Sequence, residues 1–341
     1  MKICFMIHHH TPLAQAANAL ALVNASLELK HHVNLGFIDS LAYHHGDVRA
    51  EVAVVETPLS NDMTFDALKF TQTVLAGFDV IWVLSLGPRE SFLDNIQLLK
   101  LLAAHLRVIN SPESLLCLHS KISLAGVEGI MKYPQSYISP DPEKLWGIVK
   151  ESKAAWVVKP LTESFGRNVF KLMPGDSNIR PLLQAMTGHN GSRHCLLQRF
   201  LPEVANGEKR VLLAGGDIVG QYVRKATHTD HRGNVHQGAE TALCELTSDE
   251  RAACKRVAAY LIEQGVYFAG LDVAWPWLLE WNVVSPGGIV TIEKLGGVNL
   301  AKTVVEKVLS ASEARKPQPA AAEKAAAPVA QKSTAARNSG F

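Results

Sequence analysis

Three polar side chains interrupt an otherwise apolar stretch in the last third of the chain, and their types suit metal binding. Asp272, Glu280 and Asn282 lie within residues 270–288, which read as two β-strands joined by a tight turn containing Pro276. Glu280 and Asn282 are two residues apart, so on a strand their side chains point to the same face. If the connection is about three residues long, Asp272 lies opposite Glu280 across the hairpin. Two carboxylates and one amide oxygen are ligands that suit a hard cation such as Mg²⁺.

The same three residues also have a simpler interpretation, because acidic residues near strand ends are common in solvated positions. The sequence places Leu279, Trp281 and Val283 on the opposite, apolar face of the hairpin. Carboxylates in strands that otherwise look buried need a partner or a metal. The apolar surroundings therefore favour a site over three solvated side chains.

A second set of residues has the chemistry to bind a nucleotide. Lys159 ends a predicted strand beside a loop, where an ammonium group and backbone N–H groups can hold phosphates. Residues 198–201 lead from a strand into an extended segment, whose backbone groups and apolar side chains suit an adenine ring. Arginines downstream suit phosphate and carboxylate, because a guanidinium pairs with two oxygens at once. These arginines and their polar neighbours are Glu208, Arg210, Arg224, Arg232 and Asn234. Each is most often a surface residue when taken alone, so their order along the chain carries the interpretation.

Length and composition indicate a globular protein with more than one domain. The chain has 341 residues, of which 47% are hydrophobic and 19% charged. The net charge is only +2 and the last segment is basic, so the folded part has no basic excess that would favour nucleic acid. The five cysteines are scattered without a Cys-x-x-Cys pair, and no apolar run approaches the roughly 20 residues of a membrane span. We therefore expect a cytoplasmic protein without a nucleic-acid or membrane partner.

Alternating strands and helices at the start of the chain predict a parallel sheet covered by helices. The expected strands are 2–7, 33–38, 78–84 and 107–110, and the expected helices are 12–30 and about 90–105. Further along, the patterns predict a short helical patch around Lys121, helices at 145–151, 248–264 and 299–309, and strands at 155–159, 168–172, 195–198, 210–213 and 218–223. From about 312 the chain is rich in Ala, Pro and Lys without apolar periodicity, so a disordered tail is expected.

The order of these motifs resembles that of the bacterial glutathione synthetases of the ATP-grasp superfamily. The resemblance covers about residues 1–310 and is strongest from 156 to 300. No single motif is specific, but all of them occur in the family's order and with matching spacing. They are Lys121, Lys159-Pro160-Leu161, Gln198-x-x-Leu201-Pro202, Gly207-Glu208-Lys209-Arg210, Gly215-Gly216-Asp217, Arg224, Arg232-Gly233-Asn234, Gly270-Leu271-Asp272-Val273 and Glu280-Trp281-Asn282.

The resemblance implies an α/β (α+β) ATP-grasp fold with ATP and Mg²⁺ (or Mn²⁺) as cofactors. It implies an N-terminal α/β (pre-ATP-grasp) domain over 1–112, a lid subdomain over 113–197, a C-terminal antiparallel-sheet catalytic subdomain over 198–311 and the tail over 312–341. Five sets of site residues are implied: Lys121 and Lys159 for the phosphates; Gln198, Arg199, Phe200, Leu201 and Glu208 for the rest of the nucleotide; Asp272, Glu280 and Asn282 for the metal; Arg210, Arg224, Arg232 and Asn234 as catalytic contacts to phosphate and acyl phosphate; and Ser285, Pro286, Gly287 and Gly288 near the acceptor substrate.

The activity implied is ATP-dependent amide formation between a carboxylate and an amine through an acyl phosphate, with glutathione synthesis from γ-glutamylcysteine and glycine as the leading hypothesis. The resemblance also suggests a homo-oligomer that acts on small amino-acid or peptide substrates. Three segments depart from the family. The lid loop after Lys159 keeps one glycine, Gly166, and residues 235–240 are shorter and poorer in glycine than the family's flexible loop. Residues 85–89 replace the family's Arg-Lys-Asp-Pro-Pro. A ligase for a different acid–amine pair is therefore the first alternative. A nucleotide-binding protein without ligase activity is the second.

Three clusters of histidine remain outside these motifs. They are His8-His9-His10 after the first strand, His31-His32 and His44-His45. A zinc or nickel site is conceivable, since imidazole is a common ligand for both metals. No second set of ligands at regular spacing supports it, so loop histidines near a substrate pocket or plain surface histidines are the preferred interpretation.

Overall fold

The computed structural model describes residues 1–127, 129–163, 166–225 and 240–313. The predicted contacts at Arg232 and Asn234, and the tail from residue 314, lie outside these residues. Within the described ranges, no helix is both long enough and apolar enough to cross a membrane.

The first part of the chain forms a seven-stranded mixed sheet in which four neighbouring strands are parallel. The parallel strands are β1 (Lys2–Ile7), β2 (His32–Phe37), β6 (Val80–Val83) and β7 (Arg107–Ile109). An antiparallel extension beyond β2 consists of β3 (Ala42–His44), β4 (Asp47–Val55) and β5 (Thr71–Val74). The associated helices are α1 (Ala17–Glu28), α2 (Phe92–Ala103) and α3 (Pro112–Leu118).

The predicted parallel sheet is thus confirmed for β1, β2, β6 and β7, whereas the antiparallel extension was not predicted. The apolar runs of β1 and β2 are buried on both faces, as is usual for parallel strands covered by helices. In β4, by contrast, buried residues alternate with more exposed ones along much of the strand, a pattern that fits an antiparallel strand near a sheet edge.

The central part of the chain forms a four-stranded antiparallel sheet with two helices packed on it. Its strands are β8 (Ser136–Ser139), β9 (Trp156–Pro160), β10 (Phe170–Leu172) and β11 (Cys195–Arg199), and its helices are α4 (Pro142–Glu151) and α5 (Ile179–Thr187). The predicted hairpin of β9 and β10 is confirmed. Lys121 begins a separate 3-10 helix, Lys121–Val127, which precedes this sheet.

The last part forms a five-stranded antiparallel sheet whose middle strand is β12. Its strands are β12 (Glu208–Ala214), β13 (Asp217–Lys225), β14 (Glu240–Leu243), β15 (Phe268–Ala274) and β16 (Trp277–Asn282), and the helices are α6 (Ser248–Glu263), α7 (Ile289–Gly296) and α8 (Leu300–Glu313). Helix α6 begins with a capping box between Thr247 and Glu250, as its sequence indicates. Helix α8 continues to Glu313, two residues into the segment predicted as tail.

Residues of β12 alternate between two apolar clusters, and this alternation determines where the polar side chains lie. Val211 and Leu213 join the cluster formed with α6, whereas Leu212 and Ala214 join the cluster that includes α8 and the N-terminal sheet. Arg210 therefore shares a face with Leu212, on the side of the sheet away from α6. That face is where the predicted site residues converge.

Candidate active site

The hairpin of β15 and β16 places Asp272 directly opposite Glu280, as predicted. The connection is only two residues, Trp275 and Pro276, so uninterrupted pairing would put Asp272 opposite Leu279. A β-bulge after Asp272 shifts the register by one residue and restores the pairing with Glu280.

The bulge also changes which leucine is buried. Leu278 is fully buried in the apolar cluster beneath α6, whereas the predicted Leu279 is only partly buried and lies outside that cluster. The prediction for Leu279 is therefore wrong, while Trp281 and Val283 are buried in that cluster as expected.

Four charged residues meet on the sheet face away from α6. The register pairs Arg210 with Asp272 and Glu208 with Arg224 on adjacent strands. Arg210 donates from Nε and Nη2 to the two oxygens of Asp272 at 2.6 and 3.0 Å, and Arg224 Nη2 donates to Asp272 Oδ1 at 2.6 Å. Arg224 Nη2 also donates to Glu208. Arg210, Arg224 and Asp272 are only 7%, 4% and 5% exposed, so these are buried ion pairs.

Burial and charge act in opposite directions on the two buried carboxyls. Burial by itself would raise the pKa of Asp272, but the charges of Arg210 and Arg224 outweigh it and hold the pKa below its usual value. Burial raises the pKa of Glu208 above its usual value even though Arg224 opposes the shift. Asn282 adds a fourth donor to Asp272, at 3.4 Å from Oδ2.

Two lysines reach the same region from the other side. Lys121 Nζ lies 3.1 Å from Glu280 Oε1 and donates to the carbonyl oxygen of Glu163 at 2.9 Å. Lys159 Nζ donates to Gln198 Oε1 at 2.9 Å, and Gln198 Nε2 donates in turn to Ser136 Oγ at 3.0 Å. Burial lowers the pKa of Lys159 to about 8, with Glu280 opposing the shift and Lys121 adding to it. The two lysines and the carboxylates of the last sheet therefore form one electrostatic unit.

The segment after β11 is where the sequence predicts an adenine site. Phe200 N–H donates to the carbonyl oxygen of Ala155 at 3.0 Å, and Lys171 Nζ lies 3.8 Å from the centre of the Phe200 ring. Among the described residues, the carbonyl of Phe200 and the N–H of Leu201 have no hydrogen-bond partner. These two groups belong to one trans peptide bond and point in opposite directions, so only one of them can face the edge of a base.

The segment 285–288 lies between the charged sheet face and the N-terminal domain. Arg210 Nη1 donates to the carbonyl oxygen of Gly287 at 2.8 Å, and the N–H groups of Gly288 and Val290 donate to Asn18 Oδ1 at 3.2 and 3.3 Å. Gly288 has φ +133°, and a Cβ there would lie 3.1 Å from the ring of Tyr222, so a glycine is required. The predicted acceptor segment is therefore held directly by Arg210.

The structure brings together most of the predicted site residues. The contacts above involve nine of them: Lys121, Lys159, Gln198, Glu208, Arg210, Arg224, Asp272, Glu280 and Asn282. Arg199, by contrast, is exposed, and its backbone N–H donates to the carbonyl oxygen of Gln135.

Two residues at the border of this region, Asn18 and Arg89, were not among the predicted site residues. Asn18 was missed because nothing near it in the sequence marks it. Arg89 lies in the departing segment 85–89, and its Nη1 donates to Thr162 Oγ1 of the loop after β9 at 2.9 Å. The departure of that segment was the only signal that pointed to Arg89.

Comparisons with known proteins show the family to which the chain belongs. A family model described as "Prokaryotic glutathione synthetase, ATP-grasp domain" matches residues 121–297. The chain is 31% identical over 317 residues to a glutathione synthetase from Synechocystis, with 89% of this chain and 98% of the relative covered. It is 30% identical over 319 residues to one from Gloeobacter violaceus, with 90% and 96% covered.

Solved structures with the same fold are more distant in sequence. The D-cycloserine synthetase DcsG gives a TM-score of 0.63 at 12% identity, covering 90% of this chain and all (100%) of that one. A RimK-domain ATP-grasp protein from Sphaerobacter thermophilus gives 0.61 at 16% identity, covering 91% and 100%. At these identities the similarity shows the ATP-grasp fold and nothing about substrates.

Proposed function

The chain belongs to the prokaryotic glutathione synthetase family and is an ATP-grasp ligase that forms carbon–nitrogen bonds, and from this premise we propose that it joins γ-glutamylcysteine to glycine. The observation that carries the proposal is the convergence of four basic side chains with three carboxylates on one face of the last sheet. The basic groups are Lys121, Lys159, Arg210 and Arg224, and the carboxylates are Glu208, Asp272 and Glu280.

The lysines would hold the phosphates of ATP. Both ammonium groups come from outside the last sheet, and Gln198 Oε1 orients that of Lys159 by accepting a hydrogen bond from it at 2.9 Å. Gln198 is buried, and it belongs to the strand that ends at the proposed adenine segment. The end of β11 would thereby position both the base and Lys159, which determines the distance between the base and the phosphates.

The oxygen ligands near Asp272 would fit Mg²⁺ once Arg210 and Arg224 transfer their hydrogen bonds from Asp272 to the substrate. Asp272, Glu280 and Asn282 offer the hard oxygen ligands that Mg²⁺ takes, and paired strands hold them in register. Both oxygens of Asp272 are bonded to Arg210 and Arg224, which leaves little capacity for a cation at that carboxylate. Phosphate is an equivalent partner for a guanidinium, so nucleotide binding would free Asp272 as a ligand. Asp272, Glu280 and Asn282 would hold the metal, which would supply positive charge that neutralises the phosphates.

The chain's own residues then align the reaction. The carboxylate of the acid substrate attacks the γ-phosphoryl group of ATP, and the acyl phosphate and ADP are formed. The amine attacks the acyl carbon, loses a proton and releases phosphate, which leaves the amide. Arg210 and Arg224 would stabilise the negative charge on the transferred group, because both contact Asp272, a proposed metal ligand, and Arg210 also donates to Gly287 of the proposed acceptor segment.

A ligase for a different acid–amine pair is the second candidate, and the segment around Arg89 favours it. Residues 85–89 follow β6, at the carboxyl end of the parallel sheet, and Arg89 reaches across to Thr162 beside the phosphate lysine. Because residues 85–89, which include Arg89, replace the family's residues in this segment, the pocket would select a different carboxylate substrate.

The test is ADP release from purified protein with ATP and Mg²⁺, with each substrate added or omitted. We expect release only when γ-glutamylcysteine and glycine are both present. Glu280→Ala removes a proposed metal ligand and the partner of Lys121, and it should lower turnover by about 100-fold or more while the protein stays folded.

The matched control is Asp217→Asn, which removes an exposed carboxylate of the same sheet paired with Lys307. It should leave turnover unchanged. Release with another acid–amine pair would move the assignment to the second candidate. Binding of ATP without release on any pair would support a nucleotide-binding protein that has lost ligation. Full activity of Glu280→Ala would remove this residue from the site.

A further inference from the structure

A cluster of two histidines and one aspartate lies outside the site described above. His9 and His10 follow β1, and Asp39 follows β2, so the three residues meet at the carboxyl ends of two adjacent parallel strands. One potential ligand atom from each residue lies within 4.8 Å of the other two. The carboxyl ends of parallel strands are where open α/β sheets commonly bind ligands.

The local backbone holds these ligands together. Thr11 N–H donates to the carbonyl oxygen of His8 at 3.0 Å, which closes a turn with His9 and His10 at its centre. His9 N–H donates to Asp39 Oδ1 at 2.9 Å, which fixes the carboxylate against the turn. The other carboxylate oxygen has no described partner. At many metal sites a carboxylate ligand is oriented in this way, by a hydrogen bond to the oxygen that does not face the metal.

Aromatic packing restricts one of the imidazoles. The His9 ring lies 4.8 Å from the ring of Phe37 and 6.4 Å from that of Phe65, measured between centres. Rings of His9 and His10 are 5.0 Å apart, and His10 is exposed, so it can rotate towards its neighbour. A third imidazole, that of His8, lies 5.3 Å from His10, and its buried Nε2 has no hydrogen-bond partner among the described residues.

We propose that His9, His10 and Asp39 bind a divalent transition metal such as Zn²⁺. In a tetrahedral zinc site with bonds of about 2.0–2.1 Å, ligand atoms lie about 3.4 Å apart, so separations of up to 4.8 Å need to close by at most about 1.4 Å. Two imidazoles and one carboxylate leave a fourth position open to water or to another ligand. The site is separate from the oxygen-rich set at Asp272, whose hard ligands favour Mg²⁺ instead.

The test is calorimetric titration of untagged protein with Zn²⁺ at about pH 7.5 without ATP, because imidazole binds metal in its neutral form and ATP chelates the ion. We expect saturable binding of one Zn²⁺ per chain. His9→Ala and Asp39→Asn should each weaken it at least about tenfold. In Asp39→Asn the amide oxygen can still accept from His9 N–H, so the turn is kept while the anionic ligand is lost.

The matched control is His44→Ala, which removes one imidazole of the exposed pair His44-His45 at the end of β3 and should leave affinity within about twofold. As a second measurement, Zn²⁺ should raise the unfolding temperature of the wild type more than that of either variant, since binding to the native state stabilises it. Equal affinity in wild type, His9→Ala and Asp39→Asn would overturn the proposal. So would loss of binding in His44→Ala alone, or the absence of saturable binding.

Discussion

Nucleotide binding should depend on pH through one lysine. Burial lowers the pKa of Lys159 to about 8, so its charge changes within the range in which the protein can be assayed. The ammonium form makes up about nine-tenths of Lys159 at about pH 7 and about one-tenth at about pH 9. If phosphates bind only the ammonium form, the dissociation constant for the nucleotide rises about tenfold over this range, which corresponds to about 1.4 kcal/mol.

The assay is calorimetry with Mg²⁺ and a non-hydrolysable ATP analogue, without acid or amine substrate, so that ionisation of the amine does not enter. Lys159→Arg should bind with little dependence on pH, because a guanidinium stays protonated throughout. Lys159→Gln should bind more weakly at about pH 7 and also lose the dependence. Lys307→Gln is the matched control, since it removes an exposed lysine paired with Asp217, and it should keep the wild-type slope. A wild-type constant that stays level, or an unchanged slope in Lys159→Gln, would refute the reasoning.

Two further predictions concern stability and the acceptor segment. Asp272→Asn leaves Arg210 and Arg224 buried without their shared carboxylate, so the free energy of unfolding should fall by about 3–5 kcal/mol in denaturant titration, against less than about 1 kcal/mol for Asp217→Asn; an unchanged midpoint would contradict the assigned ion pairs. Because the pKa of Asp272 is lowered, these pairs stabilise the fold above the ordinary Asp pKa of about 3.9 and are lost as pH falls through the lower folded-state pKa. Gly288→Ala puts a Cβ at φ +133° and 3.1 Å from Tyr222, so it should raise KM for the amine more than KM for ATP, whereas Gly77→Ala, where a Cβ meets nothing within 4 Å, should change neither. Equal KM values in Gly288→Ala and wild type would count against the placement of the acceptor substrate.

The hairpin shows how far local patterns reach. Alternating polar and apolar residues predicted the pairing of Asp272 with Glu280, and the structure has it. The prediction assumed a longer connection, and the bulge that compensates for the two-residue turn leaves no mark in the sequence. As a result Leu278, rather than Leu279, enters the core.

Contacts between distant segments could not be predicted in the same way. The sequence indicated that Arg210 and Arg224 bind anions, but only the register of β12 with β13 and β15 shows that both reach Asp272. Likewise, no second set of metal ligands accompanied His8-His9-His10 in the sequence. Asp39 joins it because β1 and β2 are neighbours in the sheet.

The most direct test of ligation through an acyl phosphate uses γ-glutamylcysteine in which both oxygens of the cysteinyl carboxylate are heavy oxygen. With glycine, ATP and Mg²⁺, we expect glutathione as the product and one heavy oxygen in each phosphate released. That oxygen comes from the carboxylate and leaves with the phosphoryl group when the amide forms. Glutathione accompanied by unlabelled phosphate would contradict the acyl phosphate, and the absence of glutathione would contradict the proposed substrates.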